Sequence, residues 1–289
     1  MNKYIRSFRL RTLPLSISGV VFGSCFAAGN LGLNIPVFIL AVCTTLSLQI
    51  LANLANELGD TLKGTDLKNE TRPQYGLQQG IISVREMACC IWLFVLLSAI
   101  SGGFLLWLSF DIPSKAFFLF LLLGGVSIIA ALTYTLGKKA YGYHGFGDLF
   151  VFVFFGLVSV IGSYYLQHHE FEWSLLIPAS AIGLLIVSVL NINNIRDITN
   201  DSVSGKRTFV VLIGERNAKI YQCVLILSAE MLFCLSGLCE VLLFIPLFVA
   251  HIYWVFKYSG KKLDNQLPFM SLIIFVLVIT LSVLEFFFR

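Results

Sequence analysis

Asn53-Leu54-Ala55-Asn56-Glu57-Leu58-Gly59-Asp60 closes one long apolar run, and Asn194-Ile195-Arg196-Asp197-Ile198-Thr199-Asn200-Asp201 closes another. From Asn53 to Asn56 to Asp60, and from Asn194 to Asp197 to Asp201, the steps are three and then four. On an α-helix those steps stack all three side chains on one face. A charge near the bilayer centre costs roughly 2.5–3.5 kcal/mol on insertion scales, so two acidic clusters at the ends of greasy helices need a compensating partner. Bare carboxylates in such a cluster repel one another, and a divalent cation is the natural counter-charge. Magnesium takes oxygen ligands and is usually held by one or two carboxylates plus substrate phosphates. Glu57, Asp60, Asp197 and Asp201, with their neighbouring amides, therefore suit Mg2+ ions bridging a diphosphate.

The surrounding chain is apolar enough to make this a membrane problem. Of 289 residues, 57% are hydrophobic and 12% charged, against about a quarter charged in soluble domains. The mean hydropathy is +0.86. Spans of about 20 apolar residues are expected at 13–29, 36–56, 87–108, 115–135, 147–166, 173–195, 217–236, 238–256 and 266–288, which makes an all-α polytopic membrane protein. Only Ser236, Gly237 and Glu240 separate the seventh from the eighth.

Lysine and arginine fix the orientation, because they accumulate on the cytoplasmic side. With nine spans one side holds Lys3, Arg6, Arg9 and Arg11, the loop 57–86, Lys138 and Lys139, the loop 196–219, and Lys257, Lys261 and Lys262. That side carries 18 of the 20 basic residues, leaving Lys115 and Arg289 opposite. A missed span would scramble this split. The expectation is a multi-pass protein of the cell inner (plasma) membrane, with a cytoplasmic N-terminus, its C-terminus opposite and both acidic motifs opening on the cytoplasm. The basic N-terminus reads as the start of the first span, since cleavage of a leader there would leave an even span count.

Several other classes are excluded. The net charge of +4 follows from topology, and without a basic patch interleaved with aromatics no nucleic-acid partner is expected. The seven cysteines lie in or beside apolar runs without CxxC spacing, and the four histidines form no metal pattern. Gly205-Lys206-Arg207-Thr208 lacks the earlier glycine of a phosphate loop, since position 200 is Asn200. Gly102-Gly103 and Gly124-Gly125 are expected to permit close helix packing.

The two motifs recur 141 residues apart, from Asp60 to Asp201, each ending an even-numbered span. Residues 1–289 therefore read as a single transmembrane domain with an internal four-helix repeat and a ninth helix left over. Sites often lie at the interface of such repeats, where the carboxylates would converge. Lys63, Arg72, Lys138, Arg196, Lys206 and Arg207 share that face and can take up remaining phosphate charge.

Three stretches carry a family resemblance: NLANELGDTLKGTD (53–66), NNIRDITNDSVSGKRTFVVLIG (193–214) and RLRTLP (9–14). A fourth is YGYHGFGDLFVFVFFG (141–156) followed by GSYYLQ (162–167). Together they resemble the UbiA superfamily of intramembrane aromatic prenyltransferases, and within it the menaquinone-pathway branch acting on 1,4-dihydroxy-2-naphthoate. The resemblance implies nine helices, Mg2+ dependence, and transfer of a polyprenyl group from polyprenyl diphosphate to that ring with loss of diphosphate and CO2. It implies that Asn56, Glu57, Asp60, Asp197 and Asp201 hold metal, with Asp60, Asp66, Asp197 and Asp201 as the catalytic acids. Asn53, Asn194, Lys63, Arg72, Tyr134, Lys138 and Lys206 would bind substrate, Tyr134 and Lys138 matching the family's Tyr-x-x-x-Lys. Arg11, at the membrane edge, would pair with the aromatic carboxylate. Glu57 stands where the family usually has Asp, and Gly64 where the superfamily has a third acid, which leaves Asp66 as a looser candidate facing the aromatic substrate.

Two other functions fit part of the pattern. A prenyltransferase using 4-hydroxybenzoate or a porphyrin would share the motifs. A secondary transporter would share the repeat and the intramembrane polar residues, but its site belongs near the midplane, whereas these acids sit at one face.

Overall fold

The structure, a computed structural model, describes residues 3–65 and 74–288, and these are helical with no strand among them. Among the described residues nine helical segments are long and apolar enough to cross a bilayer: Ile5–Gly29, Ile35–Leu62, Val84–Ser109, Lys115–Thr133, Gly147–His168, Trp173–Val203, Glu215–Leu235, Cys239–Lys257 and Gly260–Phe287. The expected count holds, and the ends of the second and sixth spans differ. Each runs on six to eight residues beyond the expected limit, as unbroken helices Ile35–Leu62 and Leu176–Val203 of 28 residues. At 1.5 Å per residue such a helix is about 42 Å long, more than the roughly 30 Å hydrocarbon core, so the acidic motifs ride on turns that project through the interface.

The two long helices end alike. Lys63 N–H bonds to the Gly59 carbonyl and Thr65 N–H to the Asp60 carbonyl; Ser204 N–H bonds to Asn200 and Lys206 N–H to Asp201. Both closures turn on a left-handed glycine, Gly64 at φ 73° and Gly205 at φ 74°, the conformation that glycine adopts without steric cost. The chain after each helix is thereby folded back over the last acid.

The sixth span is the hub. It buries seventeen residues from Pro178 to Asp201 and packs against the fifth, seventh and ninth spans. Gly156 and Gly183 let the fifth and sixth spans touch, since a Cβ on Gly156 would lie 2.7 Å from the Gly183 Cα. A buried chain of amides also ties four spans together. Asn191 Nδ2 donates to Gln222 Oε1 at 2.8 Å, Gln222 Nε2 meets His251 Nε2 at 3.2 Å, and His251 Nδ1 meets Gln266 Oε1 at 2.9 Å. A neutral His251 carrying its proton on Nδ1 satisfies every link. The third and fourth spans are peripheral and expose Trp92, Trp107, Phe118 and Leu122 to the surroundings, as helices facing lipid do.

Candidate active site

The second span sets Asn53, Asn56 and Asp60 on one face, and Asp60 is fully buried. Tyr143, in the turn after the fourth span, donates to Asp60 Oδ1 at 2.8 Å and shares a 2.6 Å hydrogen bond with Thr65. Asn56 Nδ2 reaches Asp60 Oδ2 at 3.3 Å when its amide is oriented so that its oxygen accepts from Arg9 at 3.0 Å. From the sixth span, Asp201 meets Asp60 through one cation: Lys206 Nζ lies 3.7 Å from Asp60 Oδ2 and 3.9 Å from Asp201 Oδ1. The closure at Gly205 places Lys206 there by returning its backbone to Asp201. Burial pulls the Lys206 ammonium down, but Asp60 and Asp201 outweigh it and hold its pKa above the ordinary lysine value.

Asn200 joins the two halves again by donating to the Thr65 carbonyl at 2.8 Å. The Lys63 ammonium stands 3.8 Å from the Tyr143 ring centroid, a cation–π contact. Its pKa is lowered by burial and by nearby Lys206, against the opposing pull of Asp60. Tyr143 is itself held protonated by burial and by Asp60.

Asp197 is tied differently. Arg196, only 2% exposed, grips it with Nε at 3.0 Å and Nη2 at 2.7 Å, and reaches Asp264 with Nη1 at 2.5 Å. Arg11 meets the same Asp264 at 3.4 Å and the Tyr75 hydroxyl at 3.4 Å. Arg11 has no acid close in sequence, yet the fold supplies one from the start of the ninth span. Arg9, in a left-handed backbone conformation at φ 51°, stacks its guanidinium 4.5 Å from the Tyr75 ring centroid. Its Nε–H is buried and finds no acceptor among the described residues.

Several expected site residues make other contacts or stand off the cavity wall. Glu57 is buried and its Oε1 accepts the Leu77 N–H at 2.7 Å, so it anchors the segment 74–83 against the second span. Asn53 donates to the Phe8 carbonyl at 2.9 Å and to Thr12 at 3.1 Å, which holds the N-terminal segment. Lys138 is exposed and absent from the cavity wall. The fourth helix ends at Thr133 and Gly137 turns at φ 87°, so the four-residue step from Tyr134 no longer stacks the two side chains. Asp66 and Arg72 lie outside the described residues. Tyr134 and Asn194 do line the cavity, and burial pushes the Tyr134 phenol up to about 12. Tyr143, Arg9 and Asp264 were missed by sequence reasoning. A glycine two residues past an acid-bearing helix is the signal that could have placed Lys206 more firmly.

A cavity of about 590 Å³ runs inward from these residues. Its polar end is formed by Arg9, Arg11, Asn53, Asn56, Asn194 and Lys206. Its remainder is walled by apolar side chains such as Leu105, Phe120, Phe154 and Leu166. From Asn56 to Ala41 the lining follows the second span for fifteen residues, about 22 Å of helix. Gly102, Gly103, Gly124 and Gly125 line this cavity instead of packing helices together. A Cβ at Gly103, Gly124 or Gly125 would meet nothing within 4 Å.

A deep apolar cavity under paired acids and cations is the arrangement of an intramembrane transferase acting on a lipid diphosphate. The profile of the UbiA prenyltransferase family matches residues 16–279. The chain belongs to that family. It is 44% identical to the 1,4-dihydroxy-2-naphthoate octaprenyltransferase of Escherichia coli K12, over 81% of this chain and 75% of that protein. To the protein of the same description from Haemophilus influenzae it is 37% identical, over 91% and 88% respectively. Among solved structures, the UbiA homolog from Archaeoglobus fulgidus bound to DMAPP and Mg2+ superposes with a TM-score of 0.65 at 18% identity, covering 99% of each chain. The homolog from Aeropyrum pernix K1 gives 0.69 at 18% identity, over 93% and 97%.

Proposed function

We propose that this protein transfers a polyprenyl group from polyprenyl diphosphate to 1,4-dihydroxy-2-naphthoate, releasing diphosphate and CO2, as a membrane enzyme of menaquinone synthesis. The observation that carries the reading is the cavity: its polar end abuts two acidic motifs held by one lysine, and its apolar length suits an isoprenoid tail. At about 0.8 kcal/mol per buried CH2, such a tail does not leave the bilayer, so the enzyme works within it. The basic face is cytoplasmic on the positive-inside rule, which puts the N-terminus and both motifs there and the C-terminus opposite.

The donor set fits magnesium. Asp60 and Asp201, from different spans, both lie within 4 Å of one ammonium, so a cation already sits between them. Among the described residues no group of three or more His, Cys, Asp or Glu side chains is arranged to hold a metal ion by itself. An ion that completes its shell with substrate phosphate needs none. Asp60, Asp197, Asp201 and Asn56 would hold Mg2+, which when bound supplies positive charge to the leaving diphosphate.

The chain's own residues do the rest. Lys206 and Lys63 add charge where the leaving oxygen becomes negative, and the protonated Tyr134 phenol can donate to it, a preorganised electrostatic stabilisation. The allylic C–O bond breaks, the electron-rich ring attacks the allylic carbon, and the ring carboxylate leaves as CO2. Arg9 and Arg11 flank Tyr75 at the cavity mouth and receive that carboxylate while it is bound, Arg9 through its unpartnered N–H. The apolar walls exclude the water that would otherwise capture the cation. Mass spectrometry of products from the purified protein, with dihydroxynaphthoate and a series of polyprenyl diphosphates, tests the reading. Prenylated 1,4-naphthalenediol is expected, and prenylation of 4-hydroxybenzoate alone would replace the acceptor.

A further inference from the structure

One turn deeper than Asn53, Gln49 continues the face of the second span that carries Asn53, Asn56 and Asp60, and it lines the cavity. Its amide orientation is dictated by its neighbours. Thr12 Oγ1 lies 2.9 Å from the Arg9 carbonyl oxygen, which can only accept, so the Thr12 proton is committed there. Thr12 Oγ1 is then left as an acceptor for Gln49 Nε2 at 3.2 Å and Asn53 Nδ2 at 3.1 Å. Asn53 Nδ2 also donates to the Phe8 carbonyl, which fixes the Asn53 amide and makes its Oδ1 an acceptor. Gln49 Nε2 donates to that oxygen at 3.3 Å. Both nearby acceptors thus demand the nitrogen of Gln49. Its Oε1 is left buried with no hydrogen-bond donor among the described residues.

A dehydrated carbonyl without a donor is destabilising, and one on a cavity wall can recover this from a ligand. The ligand cannot be the diphosphate, whose oxygens the carbonyl repels. Nor is it the metal, because Asp60 lies eleven residues on, about 16 Å along the helix. We infer that Gln49 Oε1 accepts a hydrogen bond from the 4-hydroxyl of the aromatic substrate, which makes Gln49 a positioning residue for the ring. This rests on the dihydroxynaphthoate reading above. In that molecule the 1-hydroxyl is ortho to the carboxylate and gives its proton to it internally, so the 4-hydroxyl is the donor free for the protein. Arg9 Nε–H and Gln49 Oε1 are complementary, one seeking an acceptor and the other a donor, and the carboxylate and the 4-hydroxyl provide them.

Equilibrium binding, read from naphthoate fluorescence with the intact protein in lipid nanodiscs, tests this without chemistry. Wild-type protein should bind 1,4-dihydroxy-2-naphthoate about tenfold more tightly than 1-hydroxy-2-naphthoate. In Gln49→Leu, and in the unbranched Gln49→Met if the first variant folds poorly, the ratio should collapse to about one with affinity for the polyprenyl diphosphate unchanged. In Thr12→Val, which disturbs the same network but keeps the oxygen, the ratio should persist. A tenfold ratio surviving in the Gln49 variants, or a ratio near one in the wild type, overturns the assignment. If a water fills the site, the variants weaken both ligands equally, which also overturns it. If the wild type neither binds nor prenylates dihydroxynaphthoate, the acceptor reading falls first and this inference with it.

Discussion

Lys206, at the close of the sixth span, reaches Asp60, at the end of the second, at 3.7 Å. Two halves of the chain whose acids recur 141 residues apart are thereby joined at a single cation. Since that lysine stands between two buried carboxylates, its removal leaves like charges facing one another. Lys206→Met should lower the apparent Tm in EDTA by about 5 °C or more. Added Mg2+ should then restore more stability in the variant than in the wild type, because ion and ammonium neutralise the same acids. A thermal scan with and without metal reads both effects, and equal Mg2+ shifts in the two proteins would separate Lys206 from the metal site.

Tyr143 holds Asp60 in place through a hydrogen bond to a carboxylate, a contact of about 1.5–3 kcal/mol. Tyr143→Phe keeps the ring that Lys63 covers and removes only the hydroxyl. We expect kcat/KM for the polyprenyl diphosphate to fall about 10- to 100-fold with the aromatic KM unchanged, measured by steady-state kinetics on each substrate.

Asp60→Asn, Asp197→Asn and Asp201→Asn keep shape while removing charge. Each should lower turnover by at least about 100-fold while the protein remains extractable and monodisperse in detergent. Near-normal rates in any two would mean that the paired motifs are not the reaction centre.

Arg9→Ala and Arg11→Ala should both raise the aromatic KM, by about 10-fold or more for the loss of a charge-assisted hydrogen bond. They differ in stability. Arg11→Ala also removes one of the two cations on Asp264, whereas Arg9 touches no acid among the described residues. A rise confined to the diphosphate KM would move both arginines to the donor site.

The span count and the shared face of Asn53, Asn56 and Asp60 were legible in the sequence because hydropathy and helical periodicity are local properties. The partners were not. Arg11 meets Asp264 across 253 residues and Tyr143 meets Asp60 across 83, and no periodicity reports such contacts. Lys138 stands apart from Tyr134 because a four-residue step stacks side chains only while the helix continues, and this helix ends at Thr133. Glu57 carries a charge one step from the acidic face, and only the folded segment 74–83 shows that Leu77 takes it.

Carboxyl-labelled 1,4-dihydroxy-2-naphthoate offers the most direct measurement of the central claim. With purified protein, a polyprenyl diphosphate and Mg2+, labelled CO2 should appear in a one-to-one ratio with prenylated product, and neither should form in excess EDTA or with Asp201→Asn. A prenylated product that keeps its label, or full turnover in EDTA, would contradict the account.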